Sequence, residues 1–158
     1  MKRHDFTTTI RWTGNRGTGT AHYRGYGRSW DIAVPGREPV HCSNDPLLGG
    51  DPGRMNPEDL LLSALSACHM LWYLHLAHDA GIVVHAYSDE PLGHAESEGG
   101  GVGRFTGATL RPHATVAPGT DLERAAALHG EVGALCFIAR SVAFPVAHEP
   151  RFTFGDAP

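Results

Sequence analysis

NPEDLLLSALSACHMLWYLHLAHDAG, residues 56–81, is the stretch from which the rest of the chain can be placed. It opens with Asn56 as a helix N-cap, Pro57 at the first helical position, and Glu58 and Asp59 in the first turn. The Asn side chain can take a free backbone N–H, Pro presets φ, and the carboxylates suit the positive end of the helix dipole. Gly81, able to turn left-handed, closes the pattern. The signals enclose about 24 residues of helix, roughly 36 Å at the standard rise. Leu60, Leu61, Leu62, Leu65, Met70, Leu71, Trp72, Leu74 and Leu76 spread apolar character nearly all round it, which predicts burial on every side. A membrane span is the competing reading. Ser63, Ser66, His69 and His75 interrupt the apolar run and His78 and Asp79 follow it, short of ~20 apolar residues with basic anchors. The expectation is a core helix, not a membrane segment, with one reactive group, Cys68, at its middle.

At 158 residues the chain suits a single domain, 1–158, built round that helix. A formal net charge of −4 and the lack of any basic run argue against a nucleic-acid surface. The N-terminal MKRHDFTTTI has no apolar segment, which argues against a secretory leader and for a cytoplasmic protein. Cys42, Cys68 and Cys136 are odd in number, widely spaced and without a CxxC, so they spell neither a disulfide framework nor a zinc site. In a reducing compartment a thiol pair is redox-active more often than structural.

In chain order, residues 6–12 read as a strand and Gly14-Asn15-Arg16-Gly17 as a turn. Residues 18–24 and 29–34 read as two further strands in a hairpin, and 35–54, rich in Pro, Gly, Asp and Asn, as a long loop. Beyond the central helix, 82–87 reads as a strand, 93–103 as a mobile hairpin tip and 105–116 as the returning strand. Residues 118–121 cap a second helix over 122–132, Cys136 opens the apolar segment CFIARSVAF, and 145–154 reads as a terminal strand. This order predicts an α+β fold with antiparallel pairing. One small sheet cannot cover a helix that is apolar all round, so a second subunit is expected to supply the rest.

With a Glu ten positions before the helical cysteine, NPEDLLLSALSACHM resembles the OsmC/Ohr family of thiol peroxidases. Cys136 follows 68 positions later in CFIARSVAF, similar to the family's CPxS-like segment but with Phe137 and Ala139 at the Pro and Ser places. Gly14-Asn15-Arg16-Gly17 resembles the Gly/Arg turn between the family's first two strands, and the resemblance spans roughly residues 16–150. It implies small antiparallel sheets wrapped around a long buried helix in an intertwined homodimer. It also implies reduction of organic hydroperoxides, with hydrogen peroxide as a second candidate. Cys68 would be peroxidatic, Cys136 resolving, and Glu58 and Arg16 the charged partners. The expected reductant is an external dithiol, a lipoyl-type one among the candidates, and no metal or organic cofactor is implied.

Elementary chemistry supports those assignments. A thiol near pKa 8.5 is only about 3% thiolate at pH 7, and burial lowers that fraction. Two units of pKa require about 2.7 kcal/mol of preferential thiolate stabilisation, which a permanently charged guanidinium can supply. A carboxylate such as Glu58 would hold that arginine and offset its charge. Arg24, Arg28 and Arg37 are candidates for the same role as Arg16. Glu58 and Cys68 lie about 15 Å apart along one helix, too far to share a site. Two copies packed antiparallel near Ser63, where Ala64, Ser66 and Ala67 are also small, would set Glu58 of one against Cys68 of the other.

Each of these residues also has a plain structural reading. Buried thiols, first-turn acids and solvated turn arginines need no catalytic reason. His69 points about 100° away from Cys68, so it either lines a pocket or satisfies a core hydrogen bond. His75 and His78 read as a solvated helix end, and Cys42 as a bystander in the loop. His69, Trp72 and Phe137 are the candidates for a substrate pocket wall. Two other functions fit the same residues: a small-molecule binding protein, and a thiol redox sensor that signals through a partner.

Overall fold

Helix α1 (Pro57–Asp79) begins and ends on side-chain chemistry visible in the sequence. The Asp59 N–H donates to the Asn56 side chain at 2.7 Å, and the Asn56 N–H donates back to the Asp59 carboxylate at 3.1 Å. This reciprocal pair is a capping box. At the far end Gly81 takes φ +72, with the Ile82 N–H on the Ala77 carbonyl at 2.8 Å and the Gly81 N–H on that of His78 at 2.9 Å. That is a Schellman closure. In the computed structural model, which describes residues 2–156, α1 buries one stripe, Leu65, His69, Tyr73 and Ala77, each four residues on from the last. Within the single chain this is the one face covered, and the remaining cover is what the sequence assigns to a second subunit. Leu71 remains 63% exposed. A correction concerns the membrane reading: α1 is long and apolar enough to span one. What speaks for a core helix is that its stripe packs on protein.

The chain divides into two compact units, Met1–Leu60 and Leu61–Pro158. In the first, β1 (Thr9–Trp12), β2 (Trp30–Ala33) and β3 (Val40–Cys42) form an antiparallel sheet in the order β1-β2-β3. The strand expected over residues 18–24 is absent, and turns replace it. The Asn15 side chain accepts the N–H groups of Gly17 and Gly19, which sit at φ +106 and +57 and curl the chain before it can extend. The long loop over 35–54 contains β3 and a short 3-10 turn, Pro46–Leu48, capped by Asp45.

The second unit holds β4 (Val84–Asp89), β5 (Leu92–Gly99), β6 (Val102–Leu110), β7 (Pro112–Val116), α2 (Leu122–Val132), β8 (Val146–His148) and β9 (Arg151–Phe154). They make two three-stranded sheets, β4-β7-β9 and β5-β6-β8. The strands expected over 105–116 and 145–154 each change sheet at a corner beside a proline, Pro112 and Pro150, and Pro91 marks the corner between β4 and β5. A proline lacks the N–H that a ladder needs, so pairing cannot run straight through it. At the middle corner the Arg111 N–H donates to Asp89 at 2.7 Å and its guanidinium to the Glu90 carbonyl at 2.7 Å. The expectation of antiparallel pairing holds for the hairpins but not for β6–β8 and β7–β9, which are parallel. The hairpin tip narrows to Gly99, Gly100 and Gly101, all at positive φ.

The α1 stripe meets two core clusters. Tyr73 and Ala77 pack with Ala114, Val116, Leu128, Val132 and Cys136, whereas Leu65 packs with Ala108 and Leu110. The arrangement is the mixed α+β one that the sequence predicts. Because Leu65 is fully buried, Leu65→Ala should destabilise the fold by about 2–5 kcal/mol, read as a lower urea midpoint at unchanged slope.

Candidate active site

Cys68 lies mid-way along α1 and Cys136 four residues past the end of α2, and the two form a disulfide with Cα atoms 5.9 Å apart. That separation falls in the ordinary disulfide range. The pair is asymmetric. Cys136 is fully buried in the core formed by Leu128, Val132 and Tyr73, while Cys68 is half-buried at the core's edge. The Cys136 backbone N–H donates to the Val132 carbonyl at 2.9 Å, extending the turn of α2 to that cysteine. The Ala139 N–H then points at the Cys136 sulfur at 3.3 Å. A backbone donor aimed at sulfur favours the thiolate, and it survives the change from Ser to Ala because every residue except proline carries it. Phe137 is 56% exposed, and its carbonyl accepts the Ser141 hydroxyl at 2.7 Å.

Behind the pair lies a buried histidine stack. His69 Nε2 is 2.8 Å from His129 Nδ1, and the His69 ring stacks on His148 at 4.6 Å between centroids. His129 lies flat on Tyr73 at 3.9 Å. Of the two readings open to His69, the structure gives it the core hydrogen bond. His129 Nε2 and the hydroxyls of Tyr73 and Tyr87 are buried without a hydrogen-bond partner. Burial first, then the neighbouring imidazoles, hold the histidines uncharged: His69 is lowered to about 4 and His129 to about 3. Burial also lowers His148, against the pull of Asp89. Burial alone pushes Tyr73 up to about 12. Sequence reasoning missed His129 and His148. His129 was within reach, since Ala125, Leu128, His129 and Val132 are the buried residues of α2 and follow helical spacing.

The other candidates fall elsewhere. Trp72 lines a surface hollow of about 270 Å3 with Leu71 and His75. His75 pairs with Asp79 at 3.5 Å. Glu58 is exposed in the first turn of α1 and makes no ion pair among the described residues. Arg16, Arg24 and Arg28 line one groove of the first unit. Arg37 is exposed, its N–H bonded to the Val34 carbonyl at 3.1 Å. Cys42 is not an exposed loop thiol: it ends β3 fully buried, and burial, with Asp31 adding, raises its pKa. Among the described residues no group of His, Cys, Asp and Glu is placed to hold a metal ion.

A helix cysteine bonded to a second cysteine just beyond another helix, on small three-stranded sheets, defines a two-thiol α+β protein. The sequence model of the OsmC-like protein family matches residues 49–150, and the chain belongs to that family. No curated protein sequence matches it. Among solved structures, an OsmC-like protein of unknown function from Vibrio cholerae is similar with a TM-score of 0.84 at 23% identity, over 94% of this chain and 99% of that one. An organic hydroperoxide resistance protein, OsmC, from Legionella pneumophila gives 0.67 at 19%, over 96% and 99%. One from Elizabethkingia anophelis gives 0.67 at 15%, over 98% and 100%. At these identities the likeness is one of fold.

The histidine stack has a consequence for pH. In the unfolded chain each imidazole takes its proton near pH 6.5, whereas folded His69 and His129 resist until about 4 and 3. Their folded pKa values are depressed, so stability is whole above pH 6.5 and falls as the pH drops toward those values. His148, stacked on His69, is lowered by burial as well and acts in the same direction. Each site should remove up to about 1 kcal/mol per pH unit. Thermal midpoints measured from pH 7 to 4.5 should fall, and less steeply in His129→Phe.

Proposed function

We propose that the chain is a thiol-dependent peroxidase for organic hydroperoxides, working as a homodimer. The observation that carries the reading is the Cys68–Cys136 disulfide with its uneven burial. In the proposed cycle the Cys68 thiolate attacks the terminal peroxide oxygen, the O–O bond breaks, and the alkoxide leaves as an alcohol after taking a proton. The Cys68 sulfenic acid then condenses with Cys136, releasing water and forming the disulfide. An external dithiol reduces it by exchange and is itself oxidised to a disulfide. The half-exposed position of Cys68 suits attack on a bulky substrate, and the Ala139 N–H aimed at the Cys136 sulfur opposes the penalty that burial sets on its leaving as thiolate. A dithiol reductant goes with a cytoplasmic location. Hydrogen peroxide is the second substrate to be tried.

The outer face of α1 supports the proposed dimer. That face, at Ser63, Ala64, Ala67 and Leu71, is exposed in the single chain, and the small residues there permit close helix approach. An antiparallel pair of α1 helices would set Glu58 of one subunit against Cys68 of its partner. Arg16 enters the proposal as the charge that keeps Cys68 ionised, and Glu58 as the carboxylate that holds the arginine in place.

The first test is turnover of cumene hydroperoxide and hydrogen peroxide with dihydrolipoamide. Turnover should vanish in Cys68→Ser, while Cys136→Ser should accumulate a sulfenic acid on Cys68. Background consumption across the panel would leave a binding protein or a sensor, told apart by whether peroxide forms the disulfide. A second test follows the pH dependence of Cys68 alkylation in Cys136→Ser. Adding Arg16→Gln or Glu58→Gln should raise the apparent thiol pKa by about one unit, a tenfold lower thiolate fraction at neutral pH. Sedimentation should show a dimer that Leu71→Glu dissociates.

A further inference from the structure

The first unit holds two cavities that contain neither thiol of the pair, and of their lining the proposed peroxidase uses Arg16 alone. One, of about 350 Å3, has Trp12, Tyr26 and Trp30 as its walls. The other, of about 540 Å3, is lined by Arg16, Arg24 and Arg28 with Tyr23, and carries Leu47 and Leu48 at its rim. Both include Tyr26, Gly27 and Arg28. They therefore adjoin along that segment, an aromatic hollow and a basic one that together make up a trough. No acidic residue lines either part, in a chain whose net charge is −4. Arg16 and Arg24 have no carboxylate partner among the described residues.

The trough is built rather than incidental. Trp12 Nε1 donates to the Gly27 carbonyl at 2.9 Å and Trp30 Nε1 to that of Ser43 at 3.0 Å, so both indoles are fixed. Arg28 donates to the Tyr26 and Tyr23 carbonyls at 3.1 and 3.3 Å, and its guanidinium lies over both rings at 4.1 and 4.7 Å. The Gly27 N–H reaches the Gly14 carbonyl at 2.8 Å, and any β-carbon at Gly14 would collide with the Gly27 carbonyl and the Trp12 indole. The Arg16 guanidinium lies close to Gly27, since a β-carbon there would be 3.8 Å from its terminal nitrogen. Unpaired guanidinium groups beside fixed aromatic faces select an anion joined to a flat apolar body. The volumes fall in the usual range for small-ligand sites, about 300–1,000 Å3.

We propose that this trough binds an organic anion whose charged group is carried on a flat ring, an aryl carboxylate or an aryl phosphate. The ring lies in the slot of Trp12, Tyr26 and Trp30, and the anion faces Arg16, Arg24 and Arg28. Binding needs no thiol, so it stands or falls separately from peroxide turnover.

The experiment titrates the full chain and Cys68→Ser with phenyl phosphate, benzoate, benzyl alcohol and inorganic phosphate, following tryptophan fluorescence. Saturable quenching is expected with phenyl phosphate or benzoate, the tighter of the two identifying the anion, and equally in Cys68→Ser. It should weaken at least tenfold in Arg24→Gln, an exposed position whose change leaves the fold intact, and lose most of its amplitude in Trp12→Phe with Trp30→Phe. Three results would each overturn the proposal. These are no saturation by either aryl anion up to about 10 mM, benzyl alcohol or inorganic phosphate binding as tightly as the aryl anions, and Arg24→Gln matching the unaltered chain.

Discussion

A single hydrogen bond between two uncharged histidines ties the second unit together. His69 on α1 and His129 on α2 meet at 2.8 Å in the core. One must offer an N–H and the other a bare nitrogen, so the bond exists only while the site is not doubly protonated. His69 adjoins Cys68 in sequence, and His129 stands two helical turns before Cys136. The bond between α1 and α2 therefore lies close in sequence to the disulfide that joins the same two stretches, and Tyr73, Ala77, Leu128 and Val132 pack in one core with Cys136. Stacking on Tyr73 and His148 fills the remaining faces of the rings. A buried polar group that finds its partner contributes about 1 kcal/mol net, and one that loses it costs more. The arrangement is thus sensitive to loss of either imidazole, and less so to changes on the exposed side of α1.

The sheets follow from the same economy of covering one helix. β6 and β7 are consecutive strands separated by Arg111 alone, yet they belong to different sheets. Asp89 fixes the turn, accepting the Arg111 N–H with one oxygen and the Ser66 hydroxyl of α1, at 2.6 Å, with the other. One carboxylate thereby joins helix, strand end and corner. The two sheets then meet different lengths of the α1 stripe, Leu65 on β6 and the Tyr73–Ala77 end on β7.

Much of this was legible. Capping residues and glycine marked both ends of α1, because they act locally and leave the same chemistry in sequence and structure. The extent of α2, Leu122–Val132, was readable for the same reason. The pairing of Cys68 with Cys136 came from the family resemblance, since two thiols distant in sequence carry no local signal of contact. The strand corners were less legible. Residues 105–116 look continuous by composition, and only Pro112 hints that the ladder must stop. Parallel pairing of β8 and β9 depends on long-range topology that short turns do not encode. The histidine stack was hidden because a histidine in an apolar helix reads as a polar interruption until its partner on another element is known. The trough of the first unit was hidden too, since Asn15, Gly17 and Gly19 convert a strand-like run into turns.

Polarity and shape explain why the two faces of α1 have different fates. The buried stripe contains His69 and Tyr73, polar residues with flat rings that stack inside the core. The opposite face carries Ala64, Ala67 and Leu71, which make few demands beyond removal from water. Shape and hydrogen bonding therefore specify the inner face, and only surface area drives burial of the outer one. A helix of about 23 residues whose outer face is small and apolar gains most from a flat, equally small partner, because close approach multiplies dispersion contacts. A second copy of the same helix is such a partner by construction. The proposed dimer thus needs no further feature of the sequence than the one that makes α1 look buried on every side.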